Sequence, residues 1–508
     1  MKRKGNKDKS QDIVNIRKEM EFSNKKLFLL LLVWSAAVLF LMSPDSPIHG
    51  PWNRCDSAIF FTSGKALMNG MRPYVDFADS KGPLLWLAFG VGYLLSPLSY
   101  TGIYIVSCFL YAGIFYYNFK TARIFLKDNS RSMAVTLLMS FAYFLLWFHF
   151  EVRAEDYATL PVAISLYYLF RLLYTEEIVS VRHLGLMLGG CFMALVLIKF
   201  SIAAMQALMM AVALWYYVRK CKVCIRPLAW MVVGAVTVAL PFLVYLWMRG
   251  AVPAFIGEYF VNTLRTISDN NGSHFSPIWG DFAHSLGDPA SLSLLLMIVY
   301  GGWMLGRELQ HYRWVPLLIA IFFYAVATRH NLGYYYGICH IFLIYLFVWS
   351  VGQASCPYKT RNLAFVILAV IGWGIYLNVS EGSKLQKVSI WANNEDRYLY
   401  ESLSDAMSGS RRPRVLNLYW NDDGFGLKHE ALPAGRYWTR QLGSTPEMLK
   451  EHVSPIIKGK ADIILVNDVW DAIRNGWFPG KIISYGYYCC FRDTCANGRV
   501  RAVYMKKK

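Results

Sequence analysis

Charged residues are scarce along most of this chain of 508 residues. Only 17% of the residues are Asp, Glu, Lys or Arg, whereas 56% are hydrophobic and 16% are aromatic. More than half of the charged residues lie in 1–26 and 381–508, so the segment between consists of long apolar runs. This scarcity excludes a soluble enzyme, a disordered chain and a small disulfide-stapled secreted protein. The composition predicts an α-helical polytopic membrane protein with a polar tail.

Apolar runs of helical length predict the membrane spans. A bilayer core about 30 Å thick needs roughly 20 helical residues. Runs that fit lie near 27–44, 101–119, 132–150, 157–174, 184–199, 200–218, 228–248, 290–306, 314–328, 334–351 and 362–379. The stretch 83–97 is apolar but short and ends at Pro97, so it is either a further span or a helix that dips into the membrane. We therefore predict about 11–13 transmembrane helices.

Basic residues indicate the side of the membrane on which each loop lies. Short cytoplasmic loops are enriched in Lys and Arg. If 83–97 does not cross, the basic stretches fall on one side, namely the N-terminus, 120–131, 219–226, 307–313 and 359–361. The net charge of +19 is then explained by topology and by contacts with membrane lipids, and no nucleic acid is expected as a partner.

Three regions follow from this orientation. They are a basic cytoplasmic N-terminus (1–26), a transmembrane domain (27–380) with its first outside loop at 45–82, and an extracytoplasmic tail (381–508). Short β-type runs in the tail alternate with polar helical segments such as Glu447 to His452, which predicts a small α/β domain. The predicted strands are Val415 to Tyr419, Ile463 to Val466, Ile482 to Tyr487 and Val500 to Tyr504. This domain either stabilises the membrane part as a lid or grips an acceptor.

Cysteines offer two further hypotheses. Cys221 and Cys224 form a CxxC in a predicted inside loop, but the loop has no second pair, so a metal site there is disfavoured. Cys495 is expected to form a disulfide with Cys489 or Cys490, because an outside tail is exposed to an oxidising compartment.

The first outside loop is the densest polar cluster beside the membrane. Its charged candidates are Asp56, Asp76, Asp79 and Lys81. Charged side chains beside spans are costly and usually face a cavity or a partner. Lys81 stands where the chain returns to the bilayer, and the segment after Asp56 has the pattern of an amphipathic helix. We expect Asp56 and Lys81 to act together.

Further polar residues are predicted on the same outer face. They are Arg153, Glu155 and Asp156 in the turn after the third span, Lys199 between two consecutive spans, Arg329 and His330 after the ninth, and Tyr335 at the start of the tenth. Each alone is typical of an interfacial anchor. Together they describe an outward-facing cavity with carboxylates, cations and aromatic rings at its mouth.

This set of side chains suits sugar transfer from a lipid carrier. An acceptor hydroxyl needs a carboxylate base, and a departing phosphate needs Lys or Arg to stabilise its charge. A transporter or flippase of a lipid-linked glycan could use the same groups, but the charges at mid-span and the internal repeats expected of a transporter are not found. A non-catalytic membrane scaffold is the other alternative.

At the first loop the sequence resembles the GT-C membrane glycosyltransferases, in particular the bacterial protein-mannosyltransferase-like and aminoarabinose-transferase-like enzymes. The resemblance rests on an early Asp56 followed by G-x-x-P-Y-x-D-x-x-D-x-K-G-P from Gly70 to Pro83. The R-x-E-D turn at Arg153, the position of Lys199 and the aromatic start of a late span reinforce it.

The resemblance implies a transferase at the outer side of a bacterial inner membrane, with a polyprenyl-phosphate sugar as donor and inversion at the anomeric centre. Asp56 resembles the catalytic base and Asp156 the second acidic residue. Lys81 resembles the contact to the donor phosphate. From their predicted place on the same outer face, Lys199 and Arg329 are further candidate donor-phosphate contacts. The candidate substrate contacts are Asp76, Asp79, Arg153, Glu155, His330 and Tyr335.

Two points of the resemblance bear on the acceptor and on metal. The family's protein mannosyltransferases often have an Asp-Glu pair where this chain has Asp56 and Ser57. This difference favours a glycan, lipid or other cell-envelope acceptor over a protein. Some relatives hold a divalent metal near the first-loop carboxylates, but this sequence has no clear His/Glu ligand set, so a metal cofactor is left open.

Overall fold

The structure, a computed structural model, describes most of the membrane region and most of the C-terminal region. The described residues are 23–43, 45–48, 55–144, 152–175, 179–222, 225–265, 286–309, 311–328, 333–353, 368, 412–419, 425–439, 445–494 and 500–507. The statements below concern these residues.

The membrane region is built from helices. They are α1 (Asn24–Met42), α2 (Cys55–Met68), α3 (Pro83–Leu95), α4 (Thr101–Leu126), α5 (Asn129–Ala142), α6 (Ala154–Tyr174), α7 (Val181–Cys221), α8 (Ile225–Met248), α9 (Val252–Phe255) continued by a π-helical turn (Ile256–Asn262), α10 (Pro289–Glu308), α11 (Val315–Thr328), a 3₁₀ helix (Gly333–Phe342) and α12 (Leu343–Gln353).

Each predicted span before residue 353 overlaps a helix. Residues 145–150 of the predicted span 132–150 lie outside the described residues, and so does almost all of the predicted span 362–379. Five helices are long and apolar enough by themselves to cross a membrane: Asn24–Leu41, Thr101–Leu126, Val181–Lys220, Ile225–Met248 and Tyr336–Gln353. Helix α3 has 13 residues, a length of about 20 Å. Because a bilayer core is about 30 Å thick, this length favours a helix that dips into the membrane.

Helix α7 reverses direction at Lys199. Its backbone there is extended, with φ −159° and ψ 101°. Helix α8 begins just after the end of α7, yet it packs against the beginning of α7: a Cβ added at Gly189 would lie 1.8 Å from the carbonyl oxygen of Met231. Both ends of α7 therefore lie beside the start of α8, and Lys199 lies at the opposite end of the pair. This arrangement agrees with the prediction of two spans joined at Lys199, and the close approach depends on glycine.

The C-terminal region contains a five-stranded sheet in the order β2-β1-β3-β5-β4. Its elements are β1 (Arg414–Asn417), α13 (Phe425–Lys428), β2 (Leu432–Pro433), α14 (Pro446–Ile457), β3 (Ile463–Val466), α15 (Val469–Arg474), α16 (Pro479–Ser484), β4 (Tyr487–Thr494) and β5 (Val500–Lys506). Strand β1 is parallel to β2 and β3, whereas β5 is antiparallel to β3 and β4. The predicted small α/β domain is confirmed.

One predicted strand of this domain is wrong. Residues Ile482 to Tyr487 are not a strand, because helix α16 ends at Ser484 and the strand begins at Tyr487. Pro479 occupies the first turn of α16, where a missing N–H costs nothing and the fixed φ favours a helix. The short strand β2 was not predicted, since two residues give no alternating pattern. Cys495 and Cys224 lie outside the described residues.

Candidate functional site

Helix α2 carries Asp56 in its first turn. The neighbouring Ser57 hydroxyl donates to the carbonyl oxygen of Val152 at 3.1 Å, which joins this end of α2 to the segment that leads into α6. Asp56 is half-buried. It lies four residues before Phe60, so both side chains share one face of the helix. The ammonium of Lys81 lies 5.7 Å from the centre of the Phe60 ring. The Lys81 ammonium therefore lies near the face of α2 that carries Asp56.

The turn between α2 and α3 fixes the position of Lys81. Gly70 has φ +77°, which lets the chain leave α2 sharply. Arg72 and Asp76 then close the turn, because the Arg72 backbone N–H donates to Asp76 at 2.8 Å and their side chains pair at 3.1 Å. Further on, the Tyr74 hydroxyl donates to the carbonyl oxygen of Lys81 at 3.0 Å.

The carboxylates of this turn have local partners. Burial alone would raise the pKa of Asp76, but hydrogen bonds from Arg72 and the charge of Arg72 hold it below its ordinary value. Asp79 accepts from the backbone N–H of Ser80 at 2.5 Å, and the ammonium of Lys81 donates to the Ser80 hydroxyl at 3.0 Å. Asp76 and Asp79 thus shape the turn that carries Lys81. Their predicted contact with substrate stays a prediction.

The break in α7 is held by two other segments. It exposes backbone groups that a continuous helix would pair. The carbonyl oxygen of Ile198 accepts from the backbone N–H of Gly82 at 2.9 Å. The Tyr259 hydroxyl donates to the carbonyl oxygen of Val196 at 2.6 Å and accepts from the N–H of Phe200 at 3.0 Å. The segment that carries Lys81 is thereby fastened to the turn that carries Lys199.

Glycine is required at this junction. A Cβ added at Gly82 would lie 2.0 Å from the carbonyl oxygen of Leu197 and 2.9 Å from the Tyr259 hydroxyl. Neither group can yield without breaking the hydrogen bonds around the Lys199 turn. The K-G-P sequence at residues 81–83 therefore reflects a close backbone approach as well as a turn.

Lys199 forms a buried ion pair with Glu155. The Lys199 ammonium lies 2.5 Å from Glu155 Oε1, and the two side chains are 10% and 6% exposed. Lys81 is also close enough to Glu155 to interact with its charge. Glu155 therefore pairs with Lys199, as expected where buried charges must be paired, and its charge also acts on Lys81.

Asp156 is bound within the start of α6. It accepts from the backbone N–H of Arg153 at 2.6 Å, an arrangement that caps the helix. Its other oxygen accepts from the Tyr143 hydroxyl, and Tyr111 donates to Tyr143 at 3.4 Å. These contacts position the start of α6. The predicted catalytic role of Asp156 stays a prediction.

The C-terminal domain contacts the same region. The carbonyl oxygen of Arg436 accepts from the backbone N–H of Ala78 at 2.9 Å. The Arg436 guanidinium pairs with Glu258 at 2.6 Å, and the Tyr437 hydroxyl donates to the same carboxylate. Glu258 precedes Tyr259, so the domain braces both the first-loop turn and the segment that holds the Lys199 break.

Some predicted site residues are not tested by the structure. Arg329 and His330 lie outside the described residues, and so does the side chain of Tyr335. The described part of that segment is buried beside the site: Tyr336 stacks on Tyr324, and the His340 ring lies 6.4 Å from Tyr143.

Sequence reasoning missed three residues that form contacts at the site. Tyr143 was read as part of a span, and neither Glu258 nor Arg436 was singled out. Each acts through a partner that is distant in sequence, and no local pattern marks such a pairing.

A metal does not fit the described residues of the first loop. No group of three or more His, Cys, Asp or Glu side chains in the described part of the chain could hold an ion. Asp76 is engaged by Arg72 and Asp79 by Ser80, so neither is a convergent ligand.

Comparisons with known proteins decide the fold. No protein-family model and no curated protein matches the sequence. The crystal structure of ArnT from Cupriavidus metallidurans bound to undecaprenyl phosphate matches with a TM-score of 0.59 at 13% identity, over 94% of this chain and 97% of that one. The apo structure matches with a TM-score of 0.55 at 14% identity, over 95% and 98%. The chain has the GT-C fold. The match extends over nearly the whole of both chains, so the fold shared with ArnT includes the C-terminal domain as well as the helices.

Proposed function

We propose that this protein is a membrane glycosyltransferase that moves one sugar from a polyprenyl-phosphate carrier to an acceptor on the outer side of a bacterial inner membrane. The observation that carries the proposal is the convergence of Asp56, Lys81, Glu155 and Lys199 from three separate segments. This set combines a half-buried carboxylate with two cations at one end of the helical bundle.

The two lysines suit the phosphate of the donor. The backbone contact between Gly82 and Ile198 keeps the segment that carries Lys81 beside the break that carries Lys199. Fixed cations stabilise charge that develops on a leaving phosphate without reorganising at the moment of reaction. The fold shared with an ArnT structure bound to undecaprenyl phosphate supports a donor of this class.

Asp56 would act as the base. The acceptor hydroxyl oxygen forms a bond to the anomeric carbon as the bond from that carbon to the phosphate oxygen breaks. The hydroxyl proton passes to the Asp56 carboxylate, and the bonding electrons leave with the polyprenyl phosphate, whose charge Lys81 and Lys199 balance. Direct displacement of this kind inverts the anomeric centre, and general base catalysis contributes about 10²- to 10⁴-fold.

The acceptor would be a glycan, a lipid or another cell-envelope molecule. It would approach from the side of the C-terminal domain, because Arg436 of that domain contacts the first-loop turn directly. In this proposal residues 1–26 are cytoplasmic, 27–380 form the transmembrane domain and 381–508 are extracytoplasmic.

Mass spectrometry of all envelope glycans, both free and attached to lipids or other envelope molecules, tests the proposal. Cells that carry the intact gene are compared with cells that lack it and with cells that carry Lys81→Met. We expect one glycan to lose the mass of a single sugar in both altered strains, because transfer fails when the donor phosphate is not held. Lys458→Met, a change at an exposed lysine of the C-terminal domain, is the control and should leave the glycan intact.

Other outcomes separate the alternatives. Identical glycans in all strains would refute the transferase. Movement of a lipid-linked sugar across vesicles that contain no acceptor would instead indicate a transporter. Loss of a protein partner with normal transfer would indicate a scaffold.

A further inference from the structure

Helix α2 carries a fully buried lysine in its last turn. Lys65 is 0% exposed, and its ammonium donates a hydrogen bond to the carbonyl oxygen of Gly426 in α13 of the C-terminal domain. The ammonium also lies 5.9 Å from the centre of the Phe61 ring. Residues 420–424, just before α13, lie outside the described residues, so the contact with Gly426 is the part of this link that the structure describes. A buried ammonium is costly unless polar partners hold it, so Lys65 fastens α2 to the C-terminal domain.

Two more contacts join the same end of α2 to the C-terminal domain. The Asn69 side chain, just after the helix, donates to the carbonyl oxygen of Lys65 at 2.8 Å and accepts from the guanidinium of Arg412. The Arg414 guanidinium lies 3.0 Å from the sulfur of Met71. The end of α2 is therefore attached to the domain at several points.

The other end of α2 carries Asp56, nine residues before Lys65, which corresponds to about 14 Å along the helix. Between the two, α2 packs closely against α3, since a Cβ added at Gly64 would lie 2.5 Å from the backbone nitrogen of Gly90. Closely packed interiors are stiff and transmit displacements. A shift of the C-terminal domain at Lys65 is therefore passed along the helix to Asp56.

We propose that Lys65 is a positioning residue for Asp56, through which the C-terminal domain sets the place of the helix that carries the base. The proposal rests on the function proposed above, in which Asp56 takes the proton of the acceptor hydroxyl. A displacement of about 1 Å in a site can lower a rate about 10²-fold, so loss of the link slows the chemical step. Lys81 is fastened separately, by the contact of Gly82 with Ile198, so donor binding changes much less than the rate.

A double-mutant cycle on the purified full-length protein tests this role. Transfer from a polyprenyl-phosphate sugar to an envelope acceptor extract is measured for the wild type, Lys65→Met, Asp56→Asn and the double variant. We expect Lys65→Met to lower kcat about 10²-fold with a nearly unchanged KM for the donor. The double variant should transfer at the rate of Asp56→Asn alone, because a residue that acts through another has no effect once that other is replaced. Lys458→Met, at an exposed lysine, is the control and should change neither background.

A second variant decides the question if Lys65→Met fails to fold. Arg412→Gln weakens the same link from an exposed position. It should lower kcat a few-fold in the wild type and leave the rate of Asp56→Asn unchanged.

The outcomes separate this inference from the proposed function. Losses that multiply in the double variants, or a wild-type kcat in Lys65→Met, would overturn the positioning role and leave Lys65 as a support of the fold alone. Transfer by Asp56→Asn at the wild-type rate would instead refute the proposed base, and with it the group that Lys65 is said to position.

Discussion

The two ends of α6 use positive charge in different ways. At its start, Glu155 pairs with Lys199 and acts on Lys81, and Asp156 caps the helix. At its end, Arg171 faces a cavity in which one lysine lies among tyrosine rings. Carboxylates and cations that lie together can exchange a proton and stabilise a leaving group, whereas the described lining of the cavity at the other end offers basic and aromatic side chains but no carboxylate. The difference indicates that the reaction should be sought at the start of α6.

The largest expected effect is the loss of one partner at the start of α6. Lys199→Met leaves Glu155 charged and buried without its partner at 2.5 Å. Breaking a buried pair destabilises by about 3–5 kcal/mol. We expect a corresponding fall in the free energy of unfolding, measured by thermal unfolding in detergent, and loss of transfer.

The double variant Lys199→Met, Glu155→Gln separates stability from function. It should recover much of the stability, because no uncompensated charge remains, but it should not recover transfer. If the single and double variants have equal free energies of unfolding, an unpaired charge at Glu155 is not the cause of the instability of Lys199→Met.

The junction between the two lysines gives an intermediate effect. Gly82→Ala forces a methyl group against the carbonyl oxygen of Leu197, 2.0 Å away. Overpacking of this kind typically destabilises by about 1–3 kcal/mol, and a displacement of about 1 Å in a site can lower a rate about 10²-fold. Transfer assays and thermal unfolding measure both effects. Gly257→Ala is the matched control, since nothing lies within 4 Å of its Cβ position; similar losses in both variants would contradict the close approach.

The smallest effect is expected for the contact between Arg436 of the C-terminal domain and Glu258. Arg436→Gln removes the ion pair with Glu258 at 2.6 Å, in which the Arg436 side chain is 28% exposed. Partly exposed pairs contribute about 1 kcal/mol or less, so we expect a rate only a few-fold lower with nearly unchanged unfolding. Arg474→Gln, which breaks an exposed pair within α15, should change neither. A complete loss of transfer in Arg436→Gln would show that this domain takes part in the chemistry.

Much of the membrane region could be predicted from sequence because the bilayer dictates the length of an apolar run. The same rule placed Lys199 between two spans, and the turn residues Gly70 and Gly82 indicated the course of the first loop. Charge beside a span indicated Glu155, although not that it would pair with Lys199. These features depend on local pattern and on one external dimension, the bilayer thickness.

The remaining features depend on contacts between distant segments. Tyr143 meets Asp156, and Arg436 meets Glu258, only after the helices and the C-terminal domain have packed. The strand predicted from Ile482 to Tyr487 was wrong for a different reason. A short run of apolar β-branched residues can form either a strand or a helix, and Pro479 favours a helix here. Periodicity reports which face of an element is buried but not which neighbour covers it.

The most direct measurement of the central claim is the transfer rate of Asp56→Asn in the purified protein with a polyprenyl-phosphate sugar and an envelope acceptor extract. The substitution keeps the shape of the side chain and removes the base. The account predicts a rate about 10²- to 10⁴-fold lower, with unchanged thermal unfolding and unchanged binding of undecaprenyl phosphate, while the exposed control Asp493→Asn transfers normally. A variant Asp56→Asn that transfers sugar at the wild-type rate would contradict it.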